Sequence, residues 1–460
     1  MSKSVYVMLR IASVVALAIG TSPKAALSAP QIFDPITNQQ GFTVQGNKLI
    51  SNASVQQFVP VGYNLALGYY LTPYAVNGQL TNFYPLTTGL TQLDPRNVPL
   101  GQTGSNTVRL WMLETFVPPG GTPPNKDYGF SNIIQDTLNQ GLVPIPVEGN
   151  TTGHSDFDPS KSGNYPVVNG YSAPTFPTCY YDYTNTCQPI SSIPGYNPDK
   201  STDWGLWQAI QSWSSTGPFA GNGNKQVLQA NPDIILNIAN EWGLPPVSLS
   251  ANNSNLVGEE YWSDSYIYSI NYLRSQGITN TIMVDAQWGQ YYQSIVDFGK
   301  AIENADPLHN TIFDVHAYDG YNDCTPQPSC KPGWQASLQD AITALSNSGV
   351  PVTAWGEFSN KTYQTSYNYS TLVQLTNAKN MGWLYWVWDT PGDSPYNDLA
   401  PAMYDLVDNP TYGLKTLATN PIYQLDPQAV PFEFSPEQGL FLGLPTFLGL
   451  RYLKRKRNKN

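Results

Sequence analysis

The sequence predicts an α/β fold, a (β/α)8 TIM barrel with long loop insertions. Eight short, nearly continuous apolar runs follow one another along the chain, at residues 58–65, 107–112, 142–147, 234–240, 281–286, 311–318, 351–358 and 382–388. Strands buried on both faces read this way, because both sides of the pleat leave water. Segments of helical length separate several of them, among them 260–276, 334–348 and 370–379. Strand–helix alternation eight times over is the pattern of a closed parallel barrel. A doubly wound open sheet would bring a glycine-rich phosphate turn after its first strand, and none follows residue 65.

The chain of 460 residues suits one large barrel. Ahead of the first run, Gly41-Phe42-Thr43-Val44 and Lys48-Leu49-Ile50 flank Gln45-Gly46-Asn47, which predicts a small hairpin. After the third run, residues 149–200 are rich in Pro, Tyr, Ser and Asn and form a long loop insertion. Long loops at that end of a barrel usually build the cleft. No period of the solenoid or propeller kind repeats along the chain.

Both ends carry address features. Lys3 and Arg10 flank an apolar run from Ile11 to Gly20, followed by the small residues Ala26, Ser28 and Ala29. Residues 1–29 are therefore expected to be a secretory signal peptide, the run being too short to span a bilayer. Near the other end, Pro431-Phe432-Glu433-Phe434 precedes an apolar stretch from Gly439 to Leu453 and the basic cluster Lys454-Arg455-Lys456-Arg457. Residues 431–460 resemble the bacterial exosortase-type (PEP-CTERM) sorting signals, in a Pro-Phe-Glu variant. That resemblance implies export, transient membrane association through this segment, and attachment to the cell envelope or surface. Residues 30–430 remain for the folded domain, expected to be monomeric.

Composition narrows the function. Charged residues make up 12% of the chain and the formal net charge is -11. A nucleic-acid partner needs a basic footprint, so it is disfavoured. Aromatics reach 13%, with 12 Trp and 30 Tyr; such rings stack on sugars but also pack cores. Cys179, Cys187, Cys324 and Cys330 fall in two local pairs within polar loops. An exported chain favours oxidation, so Cys179–Cys187 and Cys324–Cys330 disulfides are expected. Their spacings are too long for a zinc knuckle and no His lies within either pair; no metal and no cofactor is expected.

In such barrels the working residues lie at the C-terminal ends of the strands. The fourth run ends Ile238-Ala239-Asn240-Glu241-Trp242 and the seventh Ala354-Trp355-Gly356-Glu357-Phe358. A carboxylic acid directly after a buried apolar strand needs a partner or a task. The sixth ends Asp314-Val315-His316-Ala317-Tyr318, the second carries Arg109, and the eighth carries Trp383, Trp386 and Trp388. Each alone reads as structural: a strand-end Glu caps or pairs, a lone His is a satisfied core residue, and Trp is core. Together on several rims they supply an acid, a nucleophile, orienting donors and a stacking platform for one cleft.

These residues resemble glycoside hydrolase family 5, among the retaining barrels with glutamates on strands four and seven. Asn106-Thr107-Val108-Arg109 is similar to the strand-two motif, Asn240-Glu241 to the acid/base motif, and Gly356-Glu357-Phe358 to the nucleophile motif. Met283-Val284-Asp285-Ala286-Gln287-Trp288-Gly289-Gln290, Asn304 to Leu308 and Gly382 to Trp388 resemble the bacterial β-mannanase branch. The resemblance implies a retaining endo-β-1,4-glycanase acting on mannan or glucomannan. The alternatives are a β-1,4-glucanase of the same family, or a catalytically idle glycan-binding surface protein. It further implies Glu241 as acid/base, Glu357 as nucleophile, and Asn240 on the sugar 2-hydroxyl. Arg109 and Tyr318 would orient Glu357, with Arg109 keeping it ionised; His316 would line the site and Trp386 stack under the sugar. One departure touches specificity. The branch's His-Asp-Ala-Thr-Gly turn after strand three reads Gly149-Asn150-Thr151-Thr152-Gly153 here, leaving His154 as the nearest substitute.

Overall fold

The computed structural model describes residues 32–66, 75–76, 79–80, 100–112, 130–158, 164–181, 187–192, 205–215, 224–245, 256–318, 337–359, 369–386 and 399–425. The expected signal peptide, the sorting segment, Cys324, Cys330 and Trp388 lie outside them.

Eight parallel strands close into a barrel, in the order of the chain. They are β1 (Val61–Ala66), β2 (Thr107–Met112), β3 (Val143–Glu148), β4 (Ile235–Asn237), β5 (Thr281–Asp285), β6 (Thr311–Ala317), β7 (Val352–Phe358) and β8 (Trp383–Tyr385). Helices on the outside are α1 (Phe130–Asn139), α2 (Leu206–Ser214), α3 (Asn224–Ala230), α4 (Leu256–Ser275), α5 (Tyr292–Ala305), α6 (Leu338–Asn347), α7 (Tyr369–Ala378) and α8 (Leu399–Asp408). Every expected strand exists, with ends moved. The fourth stops at Asn237 rather than residue 240, and the eighth at Tyr385 rather than residue 388. Both runs stay apolar past the point where pairing ceases, so hydrophobicity alone overran them.

Side chains alternate across the barrel wall. Val143, Ile145, Ile235, Met283, Ile312, Ala354 and Leu384 fill the interior, joined by Phe42, Leu49 and Phe58. Phe42 and Leu49 come from the predicted hairpin, strands Phe42–Gln45 and Lys48–Ser51, which a short third strand at Gln56–Gln57 extends. The Phe42 carbonyl accepts from Asn310 Nδ2 at 3.1 Å, just before β6 begins. The hairpin therefore plugs the floor, opposite the strand ends that hold the site. Outward residues such as Val108, Leu236, Val284, Val315 and Trp355 join the larger core beneath the helices.

Part of the 149–200 insertion does not roof the cleft. Tyr268 Oη donates to the Pro166 carbonyl at 2.9 Å, and Asn169 Nδ2 to Asn271 Oδ1 at 2.8 Å. Phe176 packs edge-on to Tyr261. The segment thus lies along α4. Asn271 is about 22 Å down that helix from its start, at 1.5 Å per residue, so Asn169 is held far from the helix start. Cys179 is disulfide-bonded and lies in an antiparallel pair, Cys179–Tyr181 with Cys187–Pro189, that brings Cys187 onto the neighbouring strand. Among the described residues no helix is long and apolar enough to cross a membrane.

Candidate active site

Arg109 is the hub. It is wholly buried on β2, pointing inward, and its guanidinium reaches four strands or strand ends. Nη1 donates to Glu357 Oε1 at 2.7 Å and to Asn64 Oδ1 at 3.2 Å. Nη2 donates to Asn240 Oδ1 at 2.7 Å, Asn237 Oδ1 at 2.8 Å and Asp285 Oδ2 at 3.2 Å. Burial works against its charge, but Asp285, Glu357 and Asp314 more than restore it. Asp285 is tied down in turn, accepting from Asn237 Nδ2 at 2.7 Å and from the Glu241 N–H at 3.0 Å.

Glu241 leaves the wall by a local twist. β4 ends at Asn237, and Glu241 adopts a left-handed backbone with φ 47°, a conformation unusual for a side-chain-bearing residue and frequent at working sites. The bond from its N–H to Asp285 holds the turn. Its side chain is 19% exposed, and Oε1 lies 2.8 Å from His316 Nδ1.

Glu357 enters by a different device. On β7, Ala354 faces inward, so strict alternation would send residue 357 outward. The β6–β7 register shifts between Asp314 and His316, pairing Asp314 with Ala354 but His316 with Glu357. This irregularity turns Glu357 inward, the usual effect of a bulge. Its side chain is 7% exposed and accepts from Arg109 and, at 2.9 Å, from Tyr318 Oη. Burial pushes the Glu357 carboxyl up, and His316 and Arg109 pull it back only in part. Arg109 thus acts in the direction expected of it, favouring the ionised carboxylate against burial.

The two carboxylates face one another. Ligand-type atoms of Glu241, His316 and Glu357 lie within 4.8 Å of each other. Asp285, Asp314 and His316 are equally close, near enough to share an ion; there, however, the Arg109 guanidinium already abuts Asp285. His316 is fully buried between the sets. Burial disfavours its charge, yet Glu357, Asp285, Asp314 and Glu241 together push its pKa well up.

Arg109, Asn240, Glu241, His316, Tyr318 and Glu357 gather here, whereas Trp383 does not. Trp383 is buried outward, bonding Asn377 through Nε1 and packing on Phe358; it is core, since β8 alternates. Trp386, just past β8, is half-buried and stands edge-on to Trp111 with centroids 5.4 Å apart. Asn240 is fixed at both ends of its amide, by Arg109 on Oδ1 and by its own Nδ2–H donating to Thr152 Oγ1 at 2.7 Å. Of His154, the backbone carbonyl accepts from Gly243 N at 3.0 Å, beside the Glu241 turn. Sequence reading missed Asn64, Asn237, Asp285 and Asp314 as site members. Their signal is a polar residue at an inward position of an otherwise apolar strand.

Fold and site define a class: a (β/α)8 barrel with two carboxylic acids opposed at the C-terminal ends of strands four and seven. Residues 222–392, which carry β4 to β8, match the Cellulase family (glycosyl hydrolase family 5). That stretch is similar to glycoside hydrolase family 5, and mannanases are among its relatives. A mannan endo-1,4-beta-mannosidase of Salipaludibacillus agaradhaerens is 33% identical over 156 residues, covering 34% of this chain and 44% of the relative. The beta-mannanase/endoglucanase A of Caldicellulosiruptor saccharolyticus is 28% identical over 210 residues, 45% of this chain and 13% of its own. The chain thus spans less than half the length of these curated relatives. The solved catalytic domain of a mannanase from Streptomyces sp. SirexAA-E shares the fold, with TM-score 0.52 at 20% identity, covering 86% of this chain and 96% of that one.

Proposed function

We propose that the protein is a retaining endo-β-1,4-glycanase that hydrolyses β-mannan or glucomannan. The observation that carries this reading is the approach of Glu241 and Glu357 carboxylate oxygens to within 4.8 Å. Retaining glycosidases hold their two carboxyls about 5–5.5 Å apart, whereas inverting ones leave room for a water between them. The similarity to mannan endo-1,4-beta-mannosidases supports mannan as the first substrate.

Glu357, ionised and aimed by Arg109 and Tyr318, attacks the anomeric carbon, while Glu241 gives its proton to the departing glycosidic oxygen. Glu241 then takes a proton from water, which hydrolyses the glycosyl–Glu357 ester and restores both carboxyls. Asn240 offers its remaining Nδ2–H to the sugar 2-hydroxyl, and Trp386, braced by Trp111, forms the floor under the sugar. The apolar leader and the tripartite end of the sequence support an exported enzyme attached to the cell envelope.

The test is hydrolysis by the purified protein of mannan, glucomannan, xylan and cellulose oligomers. Activity on the mannans, lowered by several orders of magnitude in Glu241→Gln and Glu357→Gln with unchanged circular dichroism, is expected. Cleavage of cellulose oligomers alone would replace mannan by β-glucan. No hydrolysis of any glycan would leave a binding protein.

A further inference from the structure

Asp314 is a buried carboxylate that the proposed double displacement leaves without a task. It points into the barrel from β6, is wholly buried, and among the described residues neither of its oxygens has a hydrogen-bond donor. The wall is shaped to admit it: a Cβ on Gly356 would lie 1.8 Å from Asp314 Oδ2. A buried carboxylate needs a cation or donors. Arg109 is engaged by Glu357, Asp285 and Asn240, and no contact joins it to Asp314. The cationic group within reach is His316, whose Nε2 lies 3.6 Å from Asp314 Oδ2 and 3.4 Å from Asp285 Oδ2. Asp285 is already saturated by Asn237, Arg109 and the Glu241 N–H. Arg109 also feels the charge of Asp314, but among the described residues the imidazole of His316 is the cationic group nearest to its carboxylate.

We propose that Asp314 is a positioning residue of this active site: it keeps His316 doubly protonated, so that Nδ1–H donates to Glu241. The imidazolium then compensates the negative charge that Glu241 acquires each time it releases its proton. This rests on the acid/base reading of Glu241. The groups facing His316 are Glu241 past β4, Asp285 on β5, Asp314 on β6 and Tyr318 just past it, and Glu357 on β7, with Arg109 on β2 and Tyr266 of α4 behind Asp285. Among the described residues Asp314 is the acidic member of that set that accepts no hydrogen bond.

The chain has three histidines, which makes 15N NMR of the whole protein decisive. The His316 ring, assigned by its loss in His316→Gln, should have both nitrogens protonated at about pH 8. In Asp314→Asn, an isosteric change at a site with room for it, His316 should titrate about 1–3 pH units lower. The alkaline limb of kcat on mannan should descend with it, while the circular dichroism and Tm show the fold kept. A neutral His316 ring in the wild type at about pH 7, or an alkaline limb that stays put in Asp314→Asn, overturns the proposal. The wild-type spectrum needs no turnover and no variant at 314. An enzyme silent on every glycan would sink the hydrolase reading while the spectrum still judged the His316 charge.

Discussion

A Cβ on Gly289 would sit 2.6 Å from Cγ of Glu241. The turn after β5 thus reserves, by lacking a side chain, the space the acid residue occupies. Gly289 also has φ +74°, left-handed backbone that favours glycine. Its carbonyl accepts from the His316 N–H at 2.7 Å, so it cannot retreat without disturbing the next strand. Gly289→Ala should lower kcat on mannan by about 100-fold, the scale of a displacement of about 1 Å of a reacting group. Steady-state kinetics within twofold of wild type would show that Glu241 does not need this space.

The burial of Glu357 sets the acid side of the activity profile. Its folded carboxyl is pushed above the ordinary glutamate value of 4.5, and attack requires the ionised form. Activity is therefore lost as pH falls through the raised value. The acidic limb of kcat/KM should lie above pH 4.5, and Arg109→Met should move it up by about 1–3 units further while lowering turnover. A pH profile flat down to pH 4 contradicts the assignment.

Thr152 stands in the turn that departs from the mannanase pattern, and it holds the Asn240 amide from the side opposite Arg109. Thr152→Val keeps the shape and removes the acceptor. One neutral hydrogen bond contributes about 1 kcal/mol, so KM for mannan oligomers should rise about fivefold. The ratio of kcat/KM for mannan over β-glucan should fall, because recognition of the 2-hydroxyl loses its fixed donor. Equal losses on both substrates would place the determinant elsewhere.

Away from the site, Arg274 of α4 grips Asp306 through two bonds of 2.9 Å, with both side chains buried. Burial would raise the Asp306 carboxyl, yet Arg274, the Leu308 N–H and Thr311 bring it below its ordinary 3.8. A depressed carboxyl stabilises the fold above its unfolded value and loses that contribution as pH falls through the folded one. Asp306→Ala should cost roughly 3–5 kcal/mol in urea unfolding at pH 7. The difference from wild type should shrink below about pH 4. A pH-independent difference would mean that packing, not charge, dominates.

Much was legible in advance because barrel strands are buried on both faces, and an apolar run broken by a polar residue is conspicuous. The eight strands, the floor hairpin, and Arg109, Glu241, His316 and Glu357 were all readable on that ground. Ends were less so. Apolar character continues through Ile238-Ala239 after β4 has stopped pairing at Asn237, so the left-handed turn that presents Glu241 left no trace in the hydropathy.

The sequence by itself determined the closed parallel barrel and the chemistry at its rim, since both depend on local patterns of burial and residue type. Tertiary structure alone decided which neighbours share charge. The register shift that turns Glu357 inward exists only between β6 and β7. The sharing of Arg109 among Glu357, Asn240 and Asp285 exists only once β2, β4, β5 and β7 have come together. Alternation along β6 sets Asp314 beside His316, and closure brings Gly356 of β7 against them, leaving the space that Asp314 fills. Hydrogen bonds and ion pairs act over a few ångströms, so residues more than a hundred positions apart acquire their electrostatic roles only when the barrel brings them together.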